Sequence, residues 1–251
     1  MNPWPILAPS AAVCGTLAWG AVHPTAQLFG PALHNTSDRK EVALTFDDGP
    51  NPSTTPRLLE LLEEQGSKAT FFLVGRTARL CPQIVREIAA RGHLIGNHTE
   101  SHPSLALRST RRIEEELRRC AESLDNALGG SGHSASLWMR PPFGFRGPQL
   151  WPAVRRARLR GVAMWSLTCY DWKPQPPSRL IDRLRRVTEL KTGPGEIVLL
   201  HDGDFRRPGA DRSHVVAALK YWLPRWKDAG LKFVTMNDVA SASEADSARG
   251  E

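Results

Sequence analysis

The 251-residue chain is predicted to fold as an α/β domain with a parallel sheet. Short apolar runs alternate with stretches of helical spacing, and such alternation is typical of parallel sheets. The length is normal for a single α/β barrel and allows a sizeable core. Polar residues of the types found in active sites follow several of the predicted strands. In such folds, active sites lie at the carboxyl ends of the strands.

The strands are predicted from apolar runs that end at turn residues. The first run leads directly into Asp47-Asp48-Gly49-Pro50, and the second closes at Gly75. In chain order the predicted strands cover residues 41–46, 69–74, 93–97, 137–139, 162–167, 196–201 and 232–235.

Helices are predicted between the strands from apolar spacing and from their start and stop signals. The first begins near Pro56, after two threonines, and ends at Gly66. The others are predicted over residues 82–91, 109–128, 179–190 and 214–226. The small, polar tail after Ala240 is predicted to fray.

Three segments are expected: an apolar leader over residues 1–37, a folded domain over 38–240 and a polar tail over 241–251. No charged side chain precedes Asp38, and residues 6–22 are mostly apolar. At about 1.5 Å per residue this run is somewhat shorter than a ~30 Å hydrocarbon core. It is interpreted as a short membrane anchor or uncleaved signal, as a cleavable signal without the usual basic region, or as a buried helix of the fold. We expect an envelope protein, membrane-associated or exported, with a cytoplasmic location as the alternative.

The formal net charge of +7 comes largely from arginine clusters near residues 108–119, 155–160 and 179–186. Solvated helix faces explain such clusters, and attraction to an anionic surface is the alternative. No nucleic-acid motif accompanies the charge, so no nucleic-acid partner is expected. The cysteines lack zinc-site spacing and are too sparse for a disulfide framework. They are Cys14, Cys81, Cys120 and Cys169. The oligomeric state has no signal in the sequence.

His98-Thr-Glu-Ser-His102 places two imidazoles four residues apart. In a helical segment both rings would point the same way, which suits one metal ion. Asp48 is the candidate third ligand, and two histidines with one carboxylate leave positions open for water and substrate. Such an ion lowers the pKa of its water and polarises a carbonyl.

Asp47 and Asp48 are adjacent carboxylates just after a strand, where an ordinary turn is the simplest interpretation. The functional interpretation divides their roles, with one binding metal and the other accepting a proton from water. Consecutive residues in extended backbone point in opposite directions, so the two need not share a partner.

Five ordered motifs resemble those of polysaccharide deacetylases, the group with the NodB homology domain that is also called carbohydrate esterase family 4. The resemblance covers roughly residues 41–239 and implies a distorted (β/α) barrel, usually of seven strands, with one divalent metal. Zinc is the first expectation, and cobalt, nickel, manganese or iron are alternatives. The motifs are Thr45-Phe-Asp-Asp-Gly-Pro50, His98-Thr-Glu-Ser-His102, Arg140-Pro-Pro-Phe-Gly144, Asp171-Trp172 and Leu199-Leu-His201.

The resemblance implies a role for each matching position. Asp47 resembles the general base, and Arg140 resembles the arginine that orients it. His201 resembles the general acid, with Asp171 as its orienting partner. The implied metal ligands are Asp48, His98 and His102. The implied substrate contacts are the backbone N–H near Phe143, for the oxyanion, and Trp172 and Leu199, for the acetyl methyl group.

The sequence departs from the family upstream of Asp171, where the family often carries further acidic residues. Here residues 165–170 read Trp-Ser-Leu-Thr-Cys-Tyr and contain none. The difference concerns the tuning of the acid rather than the metal site.

The function implied is hydrolysis of the N-acetyl group of an amino sugar in an N-acetylated glycan. Chitin oligomers, peptidoglycan and acetylated exopolysaccharide or lipid-linked sugars present the same acetamide. Two other classes remain open: a catalytically silent glycan-binding protein of the envelope, and an iron-dependent oxygenase, since the same three ligands suit ferrous iron.

Overall fold

The computed structural model describes residues 4–130, 137–189 and 192–249. Its sheet is parallel at every pairing and runs in the order β5-β4-β3-β2-β1-β7-β6, with β8 added beside β1. The predicted distorted (β/α) barrel of seven parallel strands is confirmed. The strands are β1 (Glu41–Asp47), β2 (Thr70–Leu73), β3 (Leu94–Asn97), β4 (Trp138–Met139), β5 (Gly161–Val162), β6 (Leu167–Thr168), β7 (Glu196–His201) and β8 (Lys232–Phe233).

Helices connect the strands, as the alternation predicted. Two of them, α3 and α6, were not anticipated, because they are only six and seven residues long and carry little periodicity. The helices are α1 (Trp4–Val22), α2 (Thr55–Glu64), α3 (Gly75–Leu80), α4 (Pro82–Ala90), α5 (Thr110–Ala127), α6 (Leu150–Arg156), α7 (Pro177–Leu184), α8 (Arg186–Glu189), α9 (Ser213–Asp228) and α10 (Met236–Arg249).

The centre of the sheet is buried on both faces. All of β2, and all of β1 except Glu41, are buried, as expected for a parallel sheet covered by helices. In the ladder Asp47 of β1 is paired with Phe72 of β2 and with His201 of β7. The carboxyl ends of the three central strands therefore lie side by side.

The strand predicted over residues 162–167 is instead two short strands, β5 and β6. The intervening backbone bonds elsewhere: Arg140 donates from Nε to the carbonyl of Ala163 at 3.1 Å and from Nη2 to that of Met164 at 2.8 Å. A buried guanidinium therefore bonds to the backbone at the point where the sheet ladder is interrupted.

The tail predicted to fray begins as an ordered helix. Thr235 donates from both its backbone N–H and its hydroxyl to Asp238, and this starts α10. Met236, Val239 and Ala240 are buried against the sheet. Residues 250 and 251 lie outside the described residues, as does residue 190 at the end of a predicted helix.

The apolar leader forms α1 and a following segment, residues 23–36, that packs on the barrel. Among the helices in the described part of the chain, none combines the length and apolar character needed to cross a bilayer. Arg146 donates to the carbonyl of Ala26 at 2.8 Å, and Leu33 exchanges backbone hydrogen bonds with Val162 and Met164.

Two deletions are expected to distinguish the contribution of α1 to stability from that of residues 23–36. Removing residues 1–19 should leave stability nearly unchanged, because Leu17 and Trp19 are about half exposed. Removing residues 1–36 should cost on the order of 3 kcal/mol, since several hydrogen bonds to Arg146 and to the strand ends are lost. That corresponds to a fall of about 6–12 °C in Tm.

Thermal unfolding of both shortened proteins measures the difference. Equal Tm values for the two deletions would mean that residues 23–36 do not stabilise the barrel.

Candidate metal-binding active site

The three candidate metal ligands converge at the carboxyl ends of the strands. Oδ1 of Asp48 lies 3.1 Å from Nε2 of His102 and 3.5 Å from Nε2 of His98. One ligand atom from each residue lies within 4.8 Å of the others, and all three residues are buried. The spacing of the atoms suits a single ion.

The histidine segment is a loop rather than a helical turn. Thr99 and His102 have left-handed φ angles of 68° and 58°, which turn the two rings towards one point. Asn97 accepts from the backbone N–H of Thr99 at 2.9 Å, and the Thr99 hydroxyl accepts from that of His102 at 3.1 Å. Side-chain hydrogen bonds thus hold a backbone shape that non-glycine residues seldom adopt.

The donor set fits a divalent cation. Nδ1 of His98 lies 2.8 Å from the carbonyl oxygen of Arg140 and must donate to it, so in the neutral ring Nε2 carries the lone pair. Oδ1 of Asp48 is buried, and no group among the described residues donates a hydrogen bond to it. The unshared electron pair of His98 and the buried oxygen of Asp48 thus face a common point, where a metal ion would accept both.

The charges around the three ligands favour the states that bind metal. Burial would raise the pKa of Asp48, but the imidazoles of His102 and His98 outweigh it and hold that pKa well below its usual range. Burial lowers the pKa of His102, which favours the neutral ring. An ionised carboxylate and neutral imidazoles are the forms that coordinate metals.

The adjacent carboxylate, Asp47, is held by a different partner. Nη1 of Arg140 donates to Oδ1 of Asp47 at 2.9 Å and to the Thr45 hydroxyl at 2.6 Å. Arg140 is completely buried. Oδ2 of Asp47 lies 3.8 Å from Nε2 of His98, so this second oxygen faces the metal ligands.

His201 and Asp171 form a second charged pair at the end of β7. Oδ1 of Asp171 lies 3.0 Å from Nδ1 of His201, and its Oδ2 accepts from the His201 backbone N–H at 2.6 Å. Nε2 of His214 lies 2.8 Å from the Asp171 carbonyl oxygen. Asp171 is fixed without the upstream acidic residues that the family often carries.

Burial would lower the pKa of His201, but the charge of Asp171 outweighs it and raises this pKa to about 9. The imidazole therefore carries a proton at neutral pH, as a general acid must.

These groups open into one cavity of about 730 Å³. Phe143 has a left-handed φ of 59° and sets its ring edge-on to His102, with 4.8 Å between centroids. The Trp172 ring lies 5.5 Å from that of His201, and Leu199 lies on the cavity wall. The structure brings all ten sequence-predicted site residues together here, with Arg140 and Asp171 behind the lining.

Several residues around this cavity were not anticipated. One signal was available for most of them, since Gly144 ends a motif and the residues of 203–212 follow a predicted strand, whereas Trp165 lies inside the strand predicted over residues 162–167. Loop length and direction, however, are not readable from residue types. The additional lining residues are Gly144, Trp165, Asp204, Phe205, Arg206, Arg207 and Arg212.

Asp202 is a further buried carboxyl group beside the site. It accepts a hydrogen bond from the Thr55 hydroxyl, and burial raises its pKa to about 7. A Cβ atom on Gly49 would lie 2.3 Å from its Oδ2, so only glycine fits at that position. This contact packs the loop after β1 against the loop after β7.

Comparison with known proteins agrees with this geometry. A family profile described as polysaccharide deacetylase matches residues 34–162. The chain is 34% identical over 212 residues to a chitooligosaccharide deacetylase of Azorhizobium caulinodans, covering 81% of this chain and 96% of that protein.

Solved structures share the fold. A peptidoglycan N-acetylglucosamine deacetylase superposes with a TM-score of 0.71 at 33% identity, over 83% of this chain and 91% of that one. A carbohydrate esterase family 4 pseudoenzyme from Bacillus anthracis superposes with a TM-score of 0.70 at 26% identity, over 83% and 68% of the two chains.

The chain therefore belongs to the polysaccharide deacetylase family, whose enzymes are hydrolases.

Proposed function

We propose that this protein removes the N-acetyl group from an amino sugar within an oligosaccharide or polysaccharide, using one divalent metal ion held by Asp48, His98 and His102. One observation carries the proposal: the three candidate metal ligands line the same cavity as Asp47 and His201. Asp47 pairs with the buried Arg140, and His201 pairs with the buried Asp171.

A bound ion would polarise the acetamide carbonyl and make water easier to deprotonate. Asp47 then accepts the proton of the attacking water through Oδ2, because Arg140 occupies Oδ1. Arg140 keeps Asp47 in place through this hydrogen bond.

His201 protonates the leaving nitrogen from Nε2, because Asp171 fixes the proton on Nδ1. The backbone N–H near Phe143 is assigned to the oxyanion of the tetrahedral intermediate. Trp172 and Leu199 form the wall against the acetyl methyl group. The products are acetate and a free amino sugar.

The relatives favour particular substrates and a location. Their names specify chitooligosaccharides and peptidoglycan N-acetylglucosamine. Both are N-acetylated glycans, and the second belongs to the cell envelope. We therefore assign this protein to an N-acetylated glycan and to an envelope or exported location.

A silent glycan-binding protein is the second candidate, because one structural relative is a pseudoenzyme. Two features of this chain favour the enzyme: acid, base and both orienting residues are all present, and the acid carries a raised pKa. Absence of oxygen consumption by the iron-loaded protein would exclude an oxygenase.

Acetate release tests the proposal directly. The protein is loaded with zinc and assayed on chitooligosaccharides, peptidoglycan and small acetylated sugars, before and after treatment with a chelator. Release that stops on chelation and returns with zinc supports a metal-dependent deacetylase. Glycan binding without any acetate release would support the silent alternative, and release that chelation leaves untouched would remove the metal from the mechanism.

The raised pKa of His201 predicts the alkaline side of the pH profile. The proton that His201 donates is present below a pH of about 9 and is lost as the pH rises through that value, so kcat/KM should fall above it. Asp171→Asn removes the charge that raises this pKa and should move the alkaline limb to lower pH. His201→Ala should lose about 10²–10⁴-fold in rate and lose that limb. An alkaline limb that is the same in wild type and Asp171→Asn would assign it to another group.

A further inference from the structure

The rim of the cavity carries a cationic loop, residues 203–212, directly after β7. Three arginines of this loop line the cavity, namely Arg206, Arg207 and Arg212, and Asp204 is the only acidic residue of the loop that also lines it. The other two acidic lining residues belong to the site itself, since Asp47 pairs with Arg140 and Asp48 faces the histidines. Positive charge is therefore in excess at the rim.

Two of these arginines have partners in the loop. Arg207 lies 3.2 Å from Oδ2 of Asp204. Arg212 is buried, lies 3.5 Å from the same oxygen, and donates to the backbone carbonyls of Gly203 and Trp172. Both guanidinium groups thus stabilise the loop through these contacts.

Arg206 differs from its neighbours. Its side chain is exposed, and within the described residues no carboxylate lies at ion-pairing distance from it. Its guanidinium carbon lies 5.0 Å from the centre of the Phe205 ring. Stacking of this kind orients a guanidinium while leaving its N–H groups free to donate.

The loop that carries Arg206 is fixed next to the metal ligands. The Phe205 ring stacks on His102 with 3.9 Å between centroids, and Arg76 donates to the Phe205 carbonyl. The Asn51 side-chain amide donates to the carbonyl of Asp202, just before the loop, and to that of Ala210, near the end of the loop. The backbone that carries Arg206 is therefore held at a set position relative to the metal ligands.

We propose that Arg206 binds a carboxylate or phosphate group of the glycan, and that the preferred substrate is an anionic N-acetylated glycan rather than neutral chitin. The inference rests on the proposed function and specifies its substrate class. Both anions accept paired hydrogen bonds from a guanidinium. A neutral chitooligosaccharide has hydroxyl and acetamide groups but no anionic group that could pair with Arg206.

The test compares two soluble tetrasaccharides, neutral chitotetraose and a peptidoglycan tetrasaccharide with lactyl carboxylates, with phosphorylated chitotetraose as a third arm. The measured quantity is kcat/KM on each anionic sugar divided by that on chitotetraose. Arg206→Gln should lower this ratio about five- to tenfold, as expected for loss of one charge-assisted interaction. Arg206→Lys should recover part of it, because the charge remains. The arm with the larger fall identifies carboxylate or phosphate as the group bound.

Arg111→Gln is the matched control, since it removes the same charge from an exposed position on α5, away from this cavity. Its ratio should change less than twofold. An unchanged ratio in Arg206→Gln, or an equal fall in Arg111→Gln, would overturn the inference.

Dissociation constants for the same sugars, measured by calorimetry on the zinc-loaded proteins, separate this inference from the proposed function. If the wild type releases no acetate, the proposed function fails. The dissociation constant for chitotetraose divided by that for each anionic sugar then replaces the kcat/KM ratio. The same changes in Arg206→Gln and Arg111→Gln support or overturn the anion site.

Discussion

Replacing either His98 or His102 by alanine is expected to remove the bound metal and the activity together while the barrel stays folded. Each variant loses one of three ligands, and Asp48 then faces a single imidazole. Groups that only support metal ligands change affinity by about 10–100-fold, so loss of a ligand should exceed about 100-fold. Both histidines lie in the loop after β3 rather than in the hydrophobic core, so the fold should survive.

Metal content by plasma mass spectrometry, acetate release and Tm are measured on the same preparations. His23→Ala is the matched control, since this histidine is exposed in the segment after α1 and should retain both metal and activity. Full metal content in either site variant would show that its histidine is not a ligand.

The two adjacent carboxylates should respond in opposite ways to the same substitution. Asp47→Asn should keep the metal and lose about 10²–10⁴-fold in turnover, the usual contribution of a general base. Asp48→Asn should weaken metal binding, and excess zinc should restore part of its activity. The expectation follows from their partners, since Asp47 pairs with Arg140 whereas Asp48 faces both histidines.

Stability has to be followed in the same experiment. Asp47→Asn leaves the fully buried Arg140 without its counter-charge, and breaking a buried ion pair costs up to about 3–5 kcal/mol. The Thr45 hydroxyl and two backbone carbonyls still bond to Arg140, which should keep the loss towards the lower end. Rates are therefore compared well below the Tm of each variant. If Asp47→Asn loses metal and Asp48→Asn keeps it, the two roles must be exchanged.

The alternation in the sequence predicted a parallel sheet with polar residues at one edge, whereas the distorted barrel and the role of each site residue were implied by the family resemblance. Strand–helix alternation predicts a parallel sheet, and such a sheet brings the residue after each strand to one edge. Asp47, His98, Arg140 and His201 all occupy that edge, so their approach follows from chain order.

What the sequence could not predict depends on contacts between distant segments. At the break between β5 and β6, the carbonyls of Ala163 and Met164 accept from Arg140, which lies more than twenty residues earlier in the chain. The left-handed turn at Thr99 and His102 replaces the helical turn that would also have aligned the rings. Loop 203–212 has no periodicity, and its position depends on Phe205 and Asn51. The division into leader, domain and tail remains a prediction.

The pairing of Asp47 with His201 in the β1–β7 ladder has an evolutionary consequence. The proposed base and acid occupy directly opposed positions on neighbouring strands, so their spacing is set by the hydrogen-bonded backbone of the sheet. Insertions, deletions and residue changes in the surface loops leave that spacing intact. The preference for one glycan over another can therefore diverge between lineages through the loops alone, while the proton-transfer geometry is inherited unchanged.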